Sequence, residues 1–310
     1  KDSGKDIVIK SDNTQLVLSK DFIDLNNVGN SITVSIKDKG KANVANYTPL
    51  SNTLDISIKS DNDNIAINKP VEVTLNISKI NDPRKAAVYY YNNTTGEWEY
   101  VGGKVNKADN TITFSATHFS QYAAFEYDKT FNDIKNHWAK DDIEVLASKH
   151  IVEGVDANNF APDKTITRAE FAAMMIRLLG IPEETYKGEF SDVKTGDWYA
   201  NAIEAAYKAG IILGDGSNMR PNDKITREEM AAIAMRVYGK LAAYNEEQIN
   251  KTTFSDDNII SEWAKNAVSN AVKQGIINGE PNNMFAPKGN ATRAEAAAVI
   301  YNLLDKSNNI

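Results

Sequence analysis

The sequence predicts an α + β protein of two domains, an N-terminal β-sandwich and a C-terminal all-α domain of three helix-loop-helix repeats in a pseudo-three-fold arrangement. Three observations predict it. Up to about residue 128 apolar and polar residues alternate in short runs; from Phe131 the rhythm turns helical and alanine-rich; and the helical part, compared with itself, carries one pattern three times. A chain of 310 residues, 42% hydrophobic and 25% charged, can bury two or three real cores.

Residues 1–128 contain IVIK, QLVLS, SITVSIKD, LDISIKS, VEVTLNIS, AAVYYYN and TITFSAT, separated by Asn, Asp, Gly and Ser clusters. These are seven or eight short strands with no helix between them, so two packed sheets are the natural outcome. His118 is the sole histidine of this half and reads as a hydrogen-bonded residue in or beside a strand, not as a metal ligand.

The helical part holds copies at 131–181, 190–241 and 254–306. They begin FNDIKNHWA, FSDVKTGDWYA and FSDDNIISEWA, and reach ITRAE, ITREE and ATRAE. Trp138, Trp198 and Trp263 precede Arg168, Arg227 and Arg293 by 30, 29 and 30 residues, so each copy keeps its register. After each tryptophan an apolar stripe (Ala139, Ile143, Leu146 in the first copy) predicts an amphipathic helix. A glycine turn and a proline-containing loop follow, and then a capping box such as Thr167 with Glu170 opens the second helix. One such hairpin has too little core to stand alone, so the three are expected to pack together.

Arg168, Arg227 and Arg293 fall at the first helical position, where the macrodipole makes a cation unfavourable by roughly 0.3–1 kcal/mol. The threonine and glutamate of the capping box have a structural reason to be there, whereas the arginine has none visible in the sequence. An anionic ligand supplies one: a helix N-terminus with free N–H groups attracts a carboxylate, and a guanidinium grips it with two parallel bonds. On this reading alanine in place of the arginine leaves folding stability almost unchanged.

Other functions lack their residues. There is no cysteine, no GxSxG, P-loop or HExxH, and His118, His137 and His150 have no metal-ligand spacing, so neither enzyme, metal nor cofactor is expected. A formal charge of −7 argues against nucleic acid, and without 18 consecutive apolar residues no membrane insertion is expected. The first residues, KDSGKDIVIKSDN, lack the apolar core of a signal peptide and read as a mature product or an excised piece.

The ordered elements F-x-D, W-A or W-Y-A, G-I-I-x-G, F-x-P and I-T-R-A-E resemble the S-layer homology domain, three times over. The resemblance implies a secreted bacterial surface protein held non-covalently in the cell wall or S-layer. Its implied partner is a secondary cell-wall polysaccharide with peptidoglycan, commonly carrying pyruvate ketals on N-acetylmannosamine and bound in grooves between repeats. Carried onto this sequence, the glycan-binding residues are Arg168, Arg227 and Arg293, Trp138, Trp198 and Trp263, Asp133, Asp192 and Asp256, and Gly154, Gly214 and Gly279. Each also has a structural reading: tryptophan as core, aspartate as cap or turn, glycine as a positive-φ position, arginine as an ion pair. Two alternatives stand beside the anchor, a structural lattice protein contacting other S-layer subunits and the tether of an upstream extracellular enzyme.

The copies differ. The second has TREE and MRP, placing Glu228 beside Arg227 and Met219 and Arg220 where the others have Phe and Ala; the third has Ala291 in place of isoleucine; the first has His150 where Gly210 and Gly275 stand. Equal function of the three grooves is therefore not expected. The end of the β half resembles the close of ZU5-like surface modules, which implies that His118, Phe119 and Ser120 lie in the last strand.

Overall fold

A computed structural model describes residues 6–19, 21–24, 28–61, 63–248 and 253–308. The chain divides into two compact units, residues 1–128 and 129–310.

The first unit has twelve strands among the described residues: β1 (Ile7–Ser11), β2 (Thr14–Leu18), β3 (Ile32–Asp38), β4 (Tyr47–Pro49), β5 (Leu54–Ser60), β6 (Asp63–Asn64), β7 (Val71–Asn76), β8 (Ala86–Asn92), β9 (Glu97–Gly102), β10 (Lys104–Asn106), β11 (Thr111–Ala116) and β12 (Gln121–Tyr127). One antiparallel sheet runs β1-β2-β7-β11-β10; the other runs β3-β5-β12-β8-β9, with β4 on β12 and β6 on β5. The alternation in VEVTLN and TITFSA turns Val73, Leu75 and Ile112 into a core shared with Leu16, Ile56, Val88 and Tyr122. β12 escapes an alternation search for a physical reason. It is central in its sheet and buried on both faces, Tyr122 and Ala124 inward, Ala123 and Phe125 under Tyr47 and Trp98 outward, so it reads as a continuous apolar run. His118–Ser120 is not in the last strand, as the sequence implied, but in the connection before it, where Tyr122 Oη donates to the His118 carbonyl.

The second unit has six helices among the described residues: α1 (Lys140–Ser148), α2 (Arg168–Leu179), α3 (Ala200–Lys208), α4 (Arg227–Ala242), α5 (Lys265–Lys273) and α6 (Arg293–Lys306). All three capping boxes form, at Thr167/Glu170, Thr226/Glu229 and Thr292/Glu295. The residue before each threonine is fully buried, and the three close a cycle of backbone bonds: Ile166 N donates to Ala291 O (3.0 Å), Ile225 N to Ile166 O (3.1 Å) and Ala291 N to Ile225 O (2.9 Å). One contiguous core runs through all three copies.

The loops are held in the same way each time. Asp133, Asp192 and Asp256 accept backbone N–H bonds from Phe160 and Ala161, Met219 and Arg220, and Phe285 and Ala286 at 2.7–3.1 Å. A Cβ on Gly154, Gly214 or Gly279 would lie 2.4–2.6 Å from a ring carbon of Phe131, Phe190 or Phe254. Among these glycines only Gly214 has a positive φ (+72°), so close approach of the ring, and not φ, is their shared requirement.

Gly214→Ala meets both the ring and the positive φ and is expected to lower stability by about 1–3 kcal/mol. Gly196→Ala, with open space and no such φ, should leave the melting temperature within experimental error of the parent in thermal unfolding.

Candidate binding grooves

The arginine at the head of each second helix is buried against the loop of the next copy. Arg168 Nε donates to Met219 O (3.0 Å), Arg227 Nε to Phe285 O (2.9 Å) and Arg293 Nε to Phe160 O (2.8 Å). Arg227 Nη2 also donates to Asn278 O (2.8 Å) and Arg293 Nη2 to Glu153 O (2.7 Å). Arg168 pairs with Glu229 at 3.0 Å, and Arg227 with Glu295 at 3.0 Å and Glu280 at 2.9 Å. The guanidinium groups of Arg227 and Arg293 lie over the Phe285 and Phe160 rings at 5.3 and 4.6 Å. The expectation that these arginines have no structural partner is therefore corrected: their partners are loop carbonyls and the capping glutamate of another copy.

The helix ends are corrected too. The amides of Arg168 and Ala169 donate to Asp223 O and Pro221 O, those of Arg227 and Glu228 to Gly289 O and Pro287 O, and those of Arg293 and Ala294 to Lys164 O and Pro162 O. The third amide goes to the threonine Oγ1. No free N–H remains there for an anion, because the neighbouring loop satisfies the first turn.

Three grooves lie beside these helix ends, and their floors are one face of each second helix. The α4 groove, a cavity of about 560 Å³, has Glu229, Ala232, Ile233 and Arg236 as its floor; Arg168 from the first copy and Trp263 from the third complete it. The α2 groove, about 310 Å³, has Glu170, Ala173, Met174 and Arg177, with Arg293 from the third copy and Trp198 from the second. The α6 groove, about 370 Å³, has Glu295, Ala298, Val299 and Asn302, with Arg227 from the second and Trp138 from the first. Each groove is thus built by all three copies. Gly214, Gly154 and Gly279 each line one; Asp133, Asp192 and Asp256 line none and have both carboxylate oxygens on the loop backbone.

Trp138, Trp198 and Trp263 are 65%, 63% and 59% exposed, so none is core filler. The same large aromatic is exposed three times at one register. Sequence reasoning missed Arg177, Arg236 and Asn302, each seven residues after a capping glutamate; that spacing puts them on the same helix face and was the signal available. Glu228, beside Arg227 in sequence, has its carboxylate on the Ser261 N–H and hydroxyl and pairs with Lys288.

Electrostatics follow from burial. Desolvation disfavours the charge on Arg168, Arg236 and Arg293, lowering their pKa. Burial pushes the Glu229 carboxyl up, but the Thr226 backbone amide and the charges of Arg168 and Arg220 outweigh it and hold the group below its ordinary 4.5.

The S-layer homology domain profile matches residues 130–172, 189–231 and 253–297. An amylopullulanase of Thermoanaerobacterium thermosulfurigenes is 70% identical over 308 residues, 99% of this chain and 17% of the relative. The exoglucanase XynX of Acetivibrio thermocellus is 71% identical over 181 residues, 58% of this chain and 17% of the relative. An S-layer protein of Bacillus thuringiensis subsp. finitimus is 37% identical over 174 residues, 56% of this chain and 21% of the relative. The chain therefore spans only about a fifth or less of the length of these relatives.

Two tests follow from the geometry. Arg293→Ala leaves the Phe160 and Glu153 carbonyls without a donor and should cost about 1–3 kcal/mol, against the near-zero change expected from sequence; a denaturant titration decides. Because the folded-state pKa of Glu229 is depressed, its contribution is complete above the unfolded value and is lost as pH falls through the folded value. Melting temperature should fall from about pH 4.5 downward, and less steeply in Glu229→Gln.

The exposed tryptophans, the cyclic grooves and three tandem profile matches lead to one conclusion: the helical unit of this chain consists of three S-layer homology domains, modules of bacterial cell-surface anchoring.

Proposed function

We propose that the helical unit anchors a bacterial surface protein by binding an anionic secondary cell-wall polysaccharide, one bearing pyruvate ketals, in grooves between its pseudo-three-fold repeats. A single observation carries the reading: each groove sets a buried guanidinium from one copy and an exposed tryptophan from another around the apolar floor of the third. The tryptophan offers its face to the apolar side of a sugar ring, and Ala232 with Ile233, or their counterparts, supplies a dry floor. A ketal carboxylate replaces water around the guanidinium atoms that the loop carbonyls leave over; Nη1 of Arg293 has no hydrogen-bond or ion-pair partner among the described residues. Binding is without catalysis, and Gly154, Gly214 and Gly279 serve by keeping the wall of each groove free of a side chain.

Relatives of both kinds, polysaccharide-degrading enzymes and an S-layer protein, favour a portable anchor that tethers whatever is joined to it. A lattice subunit is the second reading, and extended self-assembly of the purified chain would favour it.

The chain should sediment with wall sacculi that retain their polysaccharide and stay in solution once pyruvate ketals are removed by mild acid. Trp198→Ala combined with Trp263→Ala should abolish sedimentation without moving the melting temperature, since both rings are exposed. Unchanged sedimentation after ketal removal would refute the anionic ligand.

A further inference from the structure

The three grooves share a plan but not a charge. In the α4 groove Arg168, Arg220 and Arg236 meet Asp215 and Glu229. Two of those guanidinium groups converge on one oxygen: Glu229 Oε1 lies 3.0 Å from Arg168 and 2.6 Å from Arg220. Arg220 also lies 3.9 Å from Asp215 and 3.7 Å from Asp223, so its charge is shared among three carboxylates, and the lining of the groove itself sets three cations against two carboxylates. In the α2 groove Lys164, Arg177 and Arg293 meet Glu153 and Glu170, again an excess of positive charge. The α6 groove reverses the sign. Arg227 is its sole cation, beside Asp163, Glu280 and Glu295, and it already makes both ion pairs from Nη1 while Nε and Nη2 are on carbonyls.

Three positions set the reversal: Asn302 stands where the other copies have Arg177 and Arg236, Glu280 follows the groove glycine where the first copy has Val155, although the second has Asp215 there, and Asp163 lines this groove alone among the three. Asn302 Nδ2 donates to Ile276 O at 3.1 Å, and Arg236 Nη1 makes the corresponding bond to Ile211 O at 3.0 Å, so an arginine fits this position without loss of the contact.

Resting on the reading above, we infer that the grooves are not equivalent: the α4 and α2 grooves each take a carboxylate-bearing sugar, and the α6 groove takes no carboxylate. A like-charged wall excludes the anion there, because entry would bring a third negative group against Arg227 and two carboxylates already paired to it. Charge on the walls, not groove shape, then sets how many ketals one chain holds.

The test is calorimetric titration of the full chain with a short glycan carrying one pyruvate ketal, beside the same glycan with its carboxylate methyl-esterified. Two sites are expected for the acid. Arg236→Met should weaken one of them by about ten-fold or more, and Arg177→Met the other similarly. Glu280→Val with Asn302→Arg should add a third site while keeping the parent melting temperature. Three sites in the parent, or no added site in a double variant that melts like the parent, would overturn the exclusion and leave glycan binding standing. Equal binding of acid and ester would overturn the anionic reading itself.

Discussion

A guanidinium at the head of each second helix, buried against the loop of the next copy, is the contact on which the helical unit depends. Burial of a charge is expensive unless hydrogen bonds and a counter-charge compensate for lost water. Here the compensation is shared around a cycle: Met219, Phe285 and Phe160 supply carbonyls, and Glu229 and Glu295, already members of capping boxes, supply charge to Arg168 and Arg227. The glutamate that caps its own helix therefore also orients an arginine of another copy. No copy is complete without the loops of the other two, and the last copy closes onto the first through Arg293 and Ala291.

The same arginines line the grooves, so on the proposed function stability and recognition would draw on the same side chains. They separate at the tryptophans. Trp138, Trp198 and Trp263 stand mostly in solvent, and folding gains little from them. Retaining a large exposed aromatic at the rim of every groove is intelligible as a binding device and has no counterpart in the packing of the core.

Local chemistry was legible and distant chemistry was not. The three capping boxes each depend on residues within one turn of each other, and the structure contains all of them. The partners of Arg168, Arg227 and Arg293 lie 51, 58 and 133 residues away, in a neighbouring copy, and spacing along a chain cannot reveal them. The idea of an open helix N-terminus failed for the same reason, because the carbonyls that close it come from another loop. In the β unit, β12 was hidden by being buried on both faces, whereas β8, also buried on both faces over its first half, was visible through its valine and three consecutive tyrosines, residue types favoured in strands. Of the grooves themselves, the walls were found through the repeated Arg, Trp and Gly, and the floors were overlooked although Glu170 with Arg177, and Glu229 with Arg236, share a helix face.

The account's central claim is that glycan is held against tryptophans of the helical unit, and the four indole N–H groups of the chain report on it separately. The measurement is a proton–nitrogen NMR titration of the full chain with solubilised wall polysaccharide, following Trp98, Trp138, Trp198 and Trp263. The account predicts that the Trp198 and Trp263 indole signals move and saturate while Trp98, packed on Phe125 in the β unit, stays in place. Movement of Trp98 alone, or no movement of Trp198 and Trp263 at saturating polysaccharide, would contradict it.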